Sequence, residues 1–355
     1  MQIRLIIGDA DVRYLSNLVS FLEKNYMSKL EIFSFSNRDV MMEYFQNGNA
    51  DVILLDESIG ITAQEVSTYG KTALLSDQGA QAGQEGVRII EKYKKPDLIY
   101  KDILDIYADC GRGHGFRPTD VAAGKMILVT GFSGGMGAST FAAALAMKYA
   151  SKDKKVLYLN LETTGSSSDF FSGTGNYCFD DVIFALKSQR ADIRLKMESS
   201  VRRDAKSGVY YFEPCSTPMY MLEMTYQDIL RILEVLALSG DYEYVVTDMN
   251  FQLSKDFMEI MKLMNRIVLV EDGTETANSK FVRTMQALKV LESQCRFNVT
   301  DLMAVVYNGF GTKSSSEIPG LRLPVLGKLP VIRRALVHEI INYILGIEDV
   351  FAKLL

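Results

Sequence analysis

The chain is poor in the residues that build most self-contained chemical centres. Its 355 residues include only two histidines, His114 and His338, too isolated for a His-based metal centre. The four cysteines, Cys110, Cys178, Cys215 and Cys295, lie far apart and form no CxxC pair. That spacing argues against a zinc site or a disulfide framework, and for free thiols in a reducing cytosol. No apolar run approaches the roughly 18 residues that a membrane span needs. The opening Met1-Gln2-Ile3-Arg4-Leu5-Ile6-Ile7-Gly8 reads as a strand rather than a signal peptide, so a cytoplasmic protein is expected. Excess positive charge is missing too: the formal charge is −5. With no basic stripe and no helix-turn-helix signature, sequence-specific nucleic-acid binding is not expected. Internal repeats of solenoid length and low-complexity tracts are also absent.

What is present is an ordinary globular composition, 48% hydrophobic and 23% charged, sufficient for buried cores. The length favours two domains. The main punctuation runs from Cys110 to Asp120 and on through Val121-Ala122-Ala123, where glycines, a proline and polar residues make a linker. The expected division is 1–109, linker 110–123, and 124–355. In both halves short apolar strands run into turns and then helices, the alternation of α/β domains with largely parallel sheets. Ile3–Ile7, Leu30–Phe35, Val52–Leu55 and Thr72–Leu75 read as strands of the first half. Asp11 is placed to cap a helix whose apolar face is Leu15, Leu18, Val19 and Leu22. Gly79–Gly86 breaks the pattern before Val87–Tyr93, and a helix follows from about Leu98.

The second half opens with the strand Lys125–Thr130 and the loop Gly131-Phe132-Ser133-Gly134-Gly135-Met136-Gly137-Ala138-Ser139-Thr140, followed by an alanine-rich helix, Phe141–Ala150. Strand, glycine loop, hydroxyl pair and helix make a phosphate cradle: glycines let backbone N–H groups wrap an anion, and the helix N-terminus adds its positive end. The first hydroxyl of the helix, Ser139, would hold Mg²⁺. The competing reading is a glycine turn that merely joins a strand to a helix. Later strand ends carry polar groups in order: Asn160 and Glu162 after Val156–Leu159, Asp248 closing Tyr244–Thr247, and Asn308 closing Leu302–Tyr307. Leu326-Gly327-Lys328-Leu329-Pro330 follows. An aspartate ending a buried apolar strand stands where it can hold a Mg²⁺-bound water.

This series resembles the ParA/MinD family across residues 122–345, with the loop similar to the deviant Walker A pattern K-G-G-x-G-K-[ST]-[ST]. Both family lysines are replaced: Ser133 stands for the one that reaches across the dimer and Ala138 for the P-loop lysine. Losing a charge-assisted phosphate contact costs roughly 1.5–3 kcal/mol, so binding can survive while fast hydrolysis is disfavoured. The resemblance implies ATP rather than GTP, since no [NT]-K-x-D motif follows Asn308. It implies Asp248 and Ser139 on Mg²⁺ and Glu162 as the water-positioning carboxylate. It also implies Asn308 and Pro330 at the base and residues 133–140 around the phosphates, with nucleotides at a homodimer interface.

The first half is similar to a response-regulator receiver, a flavodoxin-like fold. Asp9, with Asp11 beside it, follows the first strand; Asp56 closes the third, at the phosphoacceptor position. Ser76 closes the fourth, and Lys95-Pro96 looks like the receiver Lys-Pro pair. Gly8 takes the place of one acidic residue, and the stretch from Ser76 to Lys95 is short for a full helix plus strand. An atypical receiver used for dimerisation or docking is therefore expected. The two halves in this order resemble the TadZ/CpaE family of Flp (Tad) type IVb pilus assembly. That implies a polar localisation factor with pilus and secretion assembly proteins as partners, reaching the inner face of the membrane through them. Two alternatives stay open: an active ATPase cycling on a surface, and a response regulator phosphorylated on Asp56. The C-terminal segment Ile340–Leu355 has apolar spacing but little positive charge, and is expected to dock on its own domain. Met219–Tyr226 is expected to be packing surface.

Overall fold

Each half of the computed structural model is built on short strands whose residues are apolar nearly throughout, because helices cover both faces of a parallel sheet. The structure describes residues 2–77, 87–109, 124–188, 191–311 and 314–354. The linker 110–123 and the glycine-rich stretch Gly79–Gly86 lie outside them. The chain divides into two compact units, Met1–Gly115 with Phe184–Ser200, and Phe116–Ile183 with Val201–Leu355.

The first unit contains β1 (Ile3–Gly8), β2 (Leu30–Phe35), β3 (Val52–Asp56), β4 (Lys71–Ser76) and β5 (Arg88–Glu91). All pair in parallel, in the order β2-β1-β3-β4-β5, which is the flavodoxin-like order. Alternate residues serve opposite faces. Leu5, Ile7, Val52, Leu54 and Leu75 share one buried cluster with the leucines of α1 (Val12–Tyr26), while Ile6, Ile53 and Leu55 share another with Met41 and Phe45 of α2 (Arg38–Asn47) and Val66 of α3 (Ala63–Val66). Asp11 caps α1 through the Arg13 and Tyr14 amides; Leu15, Leu18 and Leu22 are buried, with Val19 at the margin. Helix α4 (Pro96–Ala108) starts on a proline, whose missing N–H costs nothing in the first turn.

Much further along the chain, after α5 (Ala138–Ala150) and α6 (Phe179–Ser188), comes α7 (Ile193–Ser200), which completes this first unit against α4. Its Lys196 pairs with Asp105 at 2.7 Å and Asp109 at 2.9 Å, and Arg88 reaches Asp105 from β5 at 2.5 Å. Burying Asp105 is tolerable because its charge is answered from two sides.

The second unit contains β6 (Lys125–Thr130), β7 (Val156–Asn160), β8 (Val201–Arg203), β9 (Tyr210–Phe212), β10 (Tyr244–Asp248), β11 (Arg266–Glu271), β12 (Met303–Phe310) and β13 (Val325–Pro330). The order is β13-β12-β11-β6-β10-β7-β9-β8, parallel except for β8 at the edge. Helix α5 lies on one face over Val129, Tyr158, Val246, Val268 and Val306. A run of alanines lets that helix approach the sheet closely.

Helices α8 (Met219–Leu222), α9 (Tyr226–Ser239), α10 (Lys255–Lys262), α11 (Glu275–Cys295), α12 (Val337–Leu345) and α13 (Glu348–Ala352) complete the unit. The C-terminal segment docks as expected: Ile341, Ile344, Val350 and Phe351 are buried in the α5 core, and Tyr149 donates to the Leu354 carbonyl at 2.8 Å. Met219–Tyr226 departs from expectation. Helix α8 buries none of its residues, and Met219 and Leu222 are each 62% exposed.

The expectation of a flavodoxin-like domain followed by one with a mostly parallel sheet holds.

Candidate functional site

The phosphate loop follows β6. Gly135 and Gly137 have φ of 78° and 83°, left-handed values that a side chain would strain. A Cβ on Gly134 or Gly135 would enter open space, whereas one on Gly137 would overlap the Asn308 amide. The loop thus turns bare backbone outward at Gly134 and Gly135 and is braced behind at Gly137. The brace is a hydrogen bond from Asn308 Nδ2 to the Met136 carbonyl at 2.8 Å. Ala138, Ser139 and Thr140 form the first turn of α5, so their amides are free of helix partners and available to an anion. Ala138 contributes no charge there, and among the described residues the buried Ser133 hydroxyl has no partner. Pro330 ends β13, in register with Phe310 of β12.

Three oxygen-bearing groups gather beneath the loop. Ser139 Oγ donates to Glu162 Oε2 at 3.3 Å. Asp248 is 1% exposed, and its Oδ2 accepts from Tyr158 Oη at 2.7 Å and from Asn160 Nδ2 at 3.4 Å. Among the described residues its Oδ1 is buried with no hydrogen-bond partner of ordinary geometry, with Ser139 its polar neighbour. Burial, followed by the charge of Glu162, pushes the Asp248 carboxyl up to about 7. Asn160 Oδ1 accepts the Glu162 amide at 3.0 Å and turns that residue back toward Ser139. The donor set is all hard oxygen with one buried acceptor vacant, which is chemistry that fits Mg²⁺ completed by phosphate and water. Sequence reasoning singled out Ser139, Glu162 and Asp248, and the fold brings them together. It missed Tyr158, which sits in mid-strand where an apolar residue is the default.

On the opposite side of the sheet the loop is tied by Glu271, fully buried at the end of β11, whose Oε1 accepts the Phe132 amide at 3.2 Å. Among the described residues its other oxygen has no partner, and burial pushes the carboxyl up to about 7. This residue too was missed; a charged residue ending an apolar strand is a weak signal without the loop it faces.

A second pocket lies at the carboxyl ends of β1 and β3. Asp9, fully buried, and Asp56 share one ammonium group, Lys92 Nζ, at 2.8 and 2.7 Å. Asp56 Oδ1 accepts from the Ser58 amide at 2.9 Å and the Ser58 hydroxyl at 2.5 Å. Burial disfavours the Asp56 carboxylate, but Lys92 and Ser58 more than offset it and hold its pKa below the ordinary value. Burial likewise opposes the charge on Lys92, while Asp56 and Asp9 raise its pKa overall. Ser76 ends β4, and its carbonyl accepts the Lys92 amide at 3.0 Å. Lys95, by contrast, stands at the N-cap of α4, and the lysine that joins the two carboxylates is Lys92. The Lys-Pro pair drew attention three residues too far along; the better signal is a lysine immediately after a short apolar strand. Asp11 is engaged as the α1 cap.

Comparison with known proteins gives one family model and a set of similar solved structures. Residues 1–108 match the family model described as "TadZ-like, receiver domain". No curated protein matches the chain. Among solved structures, the chain is similar to a ParA family ATPase from Chlorobium tepidum TLS, at 15% identity over 65% of this chain and 92% of that one, TM-score 0.46. It is also similar to the septum site-determining protein MinD of Pyrococcus horikoshii OT3 in complex with Mg-ADP, at 18% identity over 58% and 81%, TM-score 0.46. A third is the MinC:MinD cell division complex of Aquifex aeolicus, at 17% identity over 65% and 95%, TM-score 0.49.

Proposed function

From a chain whose first 108 residues belong to the TadZ-like receiver family, we propose a Mg-ATP-binding assembly factor that acts by dimerising rather than by turning over substrate. Nucleotide would lie along the bare backbone of Gly134–Gly137 and the first turn of α5, with Mg²⁺ held by Ser139 and the free oxygen of Asp248. The observation that carries this reading is that vacant, buried Asp248 Oδ1 beside a loop braced open by Asn308. Because positions 133 and 138 carry no lysine, transition-state charge is poorly answered, and hydrolysis by a water held near Glu162 would be slow or absent. A nucleotide at a subunit interface links ligand affinity to the dimer population. In the TadZ/CpaE role this dimer would recruit pilus and secretion proteins at the cell pole, on the cytoplasmic side.

In the first unit Lys92 already engages both Asp9 and Asp56, which supports a docking role over a phosphorylated switch. Among the described residues no helix is long and apolar enough to cross a membrane, and in this reading the membrane is reached through partners. Calorimetry with ATP, with and without Mg²⁺, combined with sedimentation of the same samples, tests the proposal. Saturable Mg-dependent heat with a shift to dimer is expected; no heat at millimolar ATP would remove it.

A further inference from the structure

We infer that Tyr158 is a positioning residue for the divalent cation, a role that rests on the nucleotide reading above and adds to it a residue that the loop motifs do not contain. Tyr158 lies on β7 beside Val246 of β10, two residues before the Asn160–Asp248 register pair, so its side chain and that of Asp248 share one face of the sheet. It is fully buried and its ring packs on Phe171, with centroids 5.1 Å apart. The hydroxyl donates to Asp248 Oδ2 at 2.7 Å and receives the Asn160 amide at 3.3 Å.

A carboxylate free to rotate could present either oxygen, or both, to an ion. Here Oδ2 is saturated by a short phenolic hydrogen bond backed by Asn160, so only Oδ1 remains, and the carboxylate plane is set by packed side chains. The ion is thereby directed to one oxygen in one orientation, which suits the strict geometry that Mg²⁺ demands. Outer partners of this kind typically change metal affinity by about 10- to 100-fold.

The test uses the full chain and its Tyr158→Phe variant, which keeps the ring and removes one oxygen. Mg²⁺ is titrated at fixed ATP, following nucleotide binding by calorimetry, and binding of ATP in EDTA is measured separately. The expected result is a Mg²⁺ midpoint raised about tenfold or more, with affinity for metal-free ATP unchanged. Tyr158→His, which keeps a donor, should recover part of the loss. A midpoint within twofold of the parent chain overturns the inference while leaving nucleotide binding intact. A parent chain that shows no Mg-dependent binding overturns both. Should the variants fail to fold, the parent chain still decides. It contains no tryptophan, so its near-UV difference spectrum on adding Mg²⁺ to the ATP complex should carry a buried-tyrosine band, and a flat difference spectrum overturns the inference.

Discussion

The two units each end a parallel sheet in buried carboxylates and then treat the charge in opposite ways. In the first, Lys92 is an internal cation that answers both Asp9 and Asp56, and Ser58 takes the remaining Asp56 oxygen. In the second, Asp248 receives only neutral donors among the described residues, and one of its oxygens has no partner there. The first pocket holds a cation of its own; the second, among the described residues, has none. A strand-end aspartate therefore does not mark an ion site by itself, and what decides is whether the fold has already supplied its counter-charge.

The sharpest way to break this contrast is Lys92→Met. Removing one member of a buried ion cluster leaves uncompensated charge, and a loss of about 3–5 kcal/mol is expected. Urea unfolding of the full chain would show it; an unchanged midpoint would mean that the triad does not hold the first pocket together.

Glu271→Gln comes next. Its folded-state pKa of about 7 lies above the ordinary 4.5, so the folded protein grips the proton more tightly than the unfolded chain does. The penalty for ionising it is absent below about pH 4.5, grows as pH rises to about 7, and is constant above. The variant should therefore be more stable than the parent chain at pH 8, on the order of 2–3 kcal/mol. The difference should shrink at pH 5 in thermal unfolding. A variant with the same stability difference at both pH values would show that ionisation of Glu271 is not linked to folding.

Ala138→Lys supplies the missing cation to the second pocket. ATP affinity should rise by about 10- to 100-fold, the value of a charge-assisted contact, as measured by calorimetry. No gain would mean that the helix dipole and Mg²⁺ already saturate the phosphate charge.

The smallest effect is expected at Asp11, which neighbours the first pocket in sequence but serves α1 as its cap. Asp11→Ala should cost about 1 kcal/mol in the same unfolding experiment.

Much of the fold was legible because parallel strands buried on both faces leave unbroken apolar runs. Leu30–Phe35 and Lys125–Thr130 match β2 and β6 to the residue, and the Asp11 cap with its Leu15, Leu18, Leu22 face stands as read. The exposed α8 was not legible: Met219 and Leu222 look like core residues, and only their place on a one-turn helix leaves them in solvent. Nor was α7, which joins the first unit through contacts such as Lys196 to Asp105, 91 positions apart in the chain. In the candidate site, Ser139, Glu162 and Asp248 could be singled out because each ends a strand, follows one or opens a helix, whereas Tyr158, Glu271 and Lys92 were passed over.

By itself the sequence determined the alternation of strands and helices, the glycine loop without lysines, and the carboxylates at strand ends. These are local matters: periodicity, capping and backbone freedom act within a few residues. Only the tertiary structure decided which carboxylate is neutralised, by bringing Lys92 to Asp9 and Asp56 and Tyr158 to Asp248. Charge compensation depends on distances of a few ångströms between groups far apart in the chain, and those distances exist only once the sheets have closed.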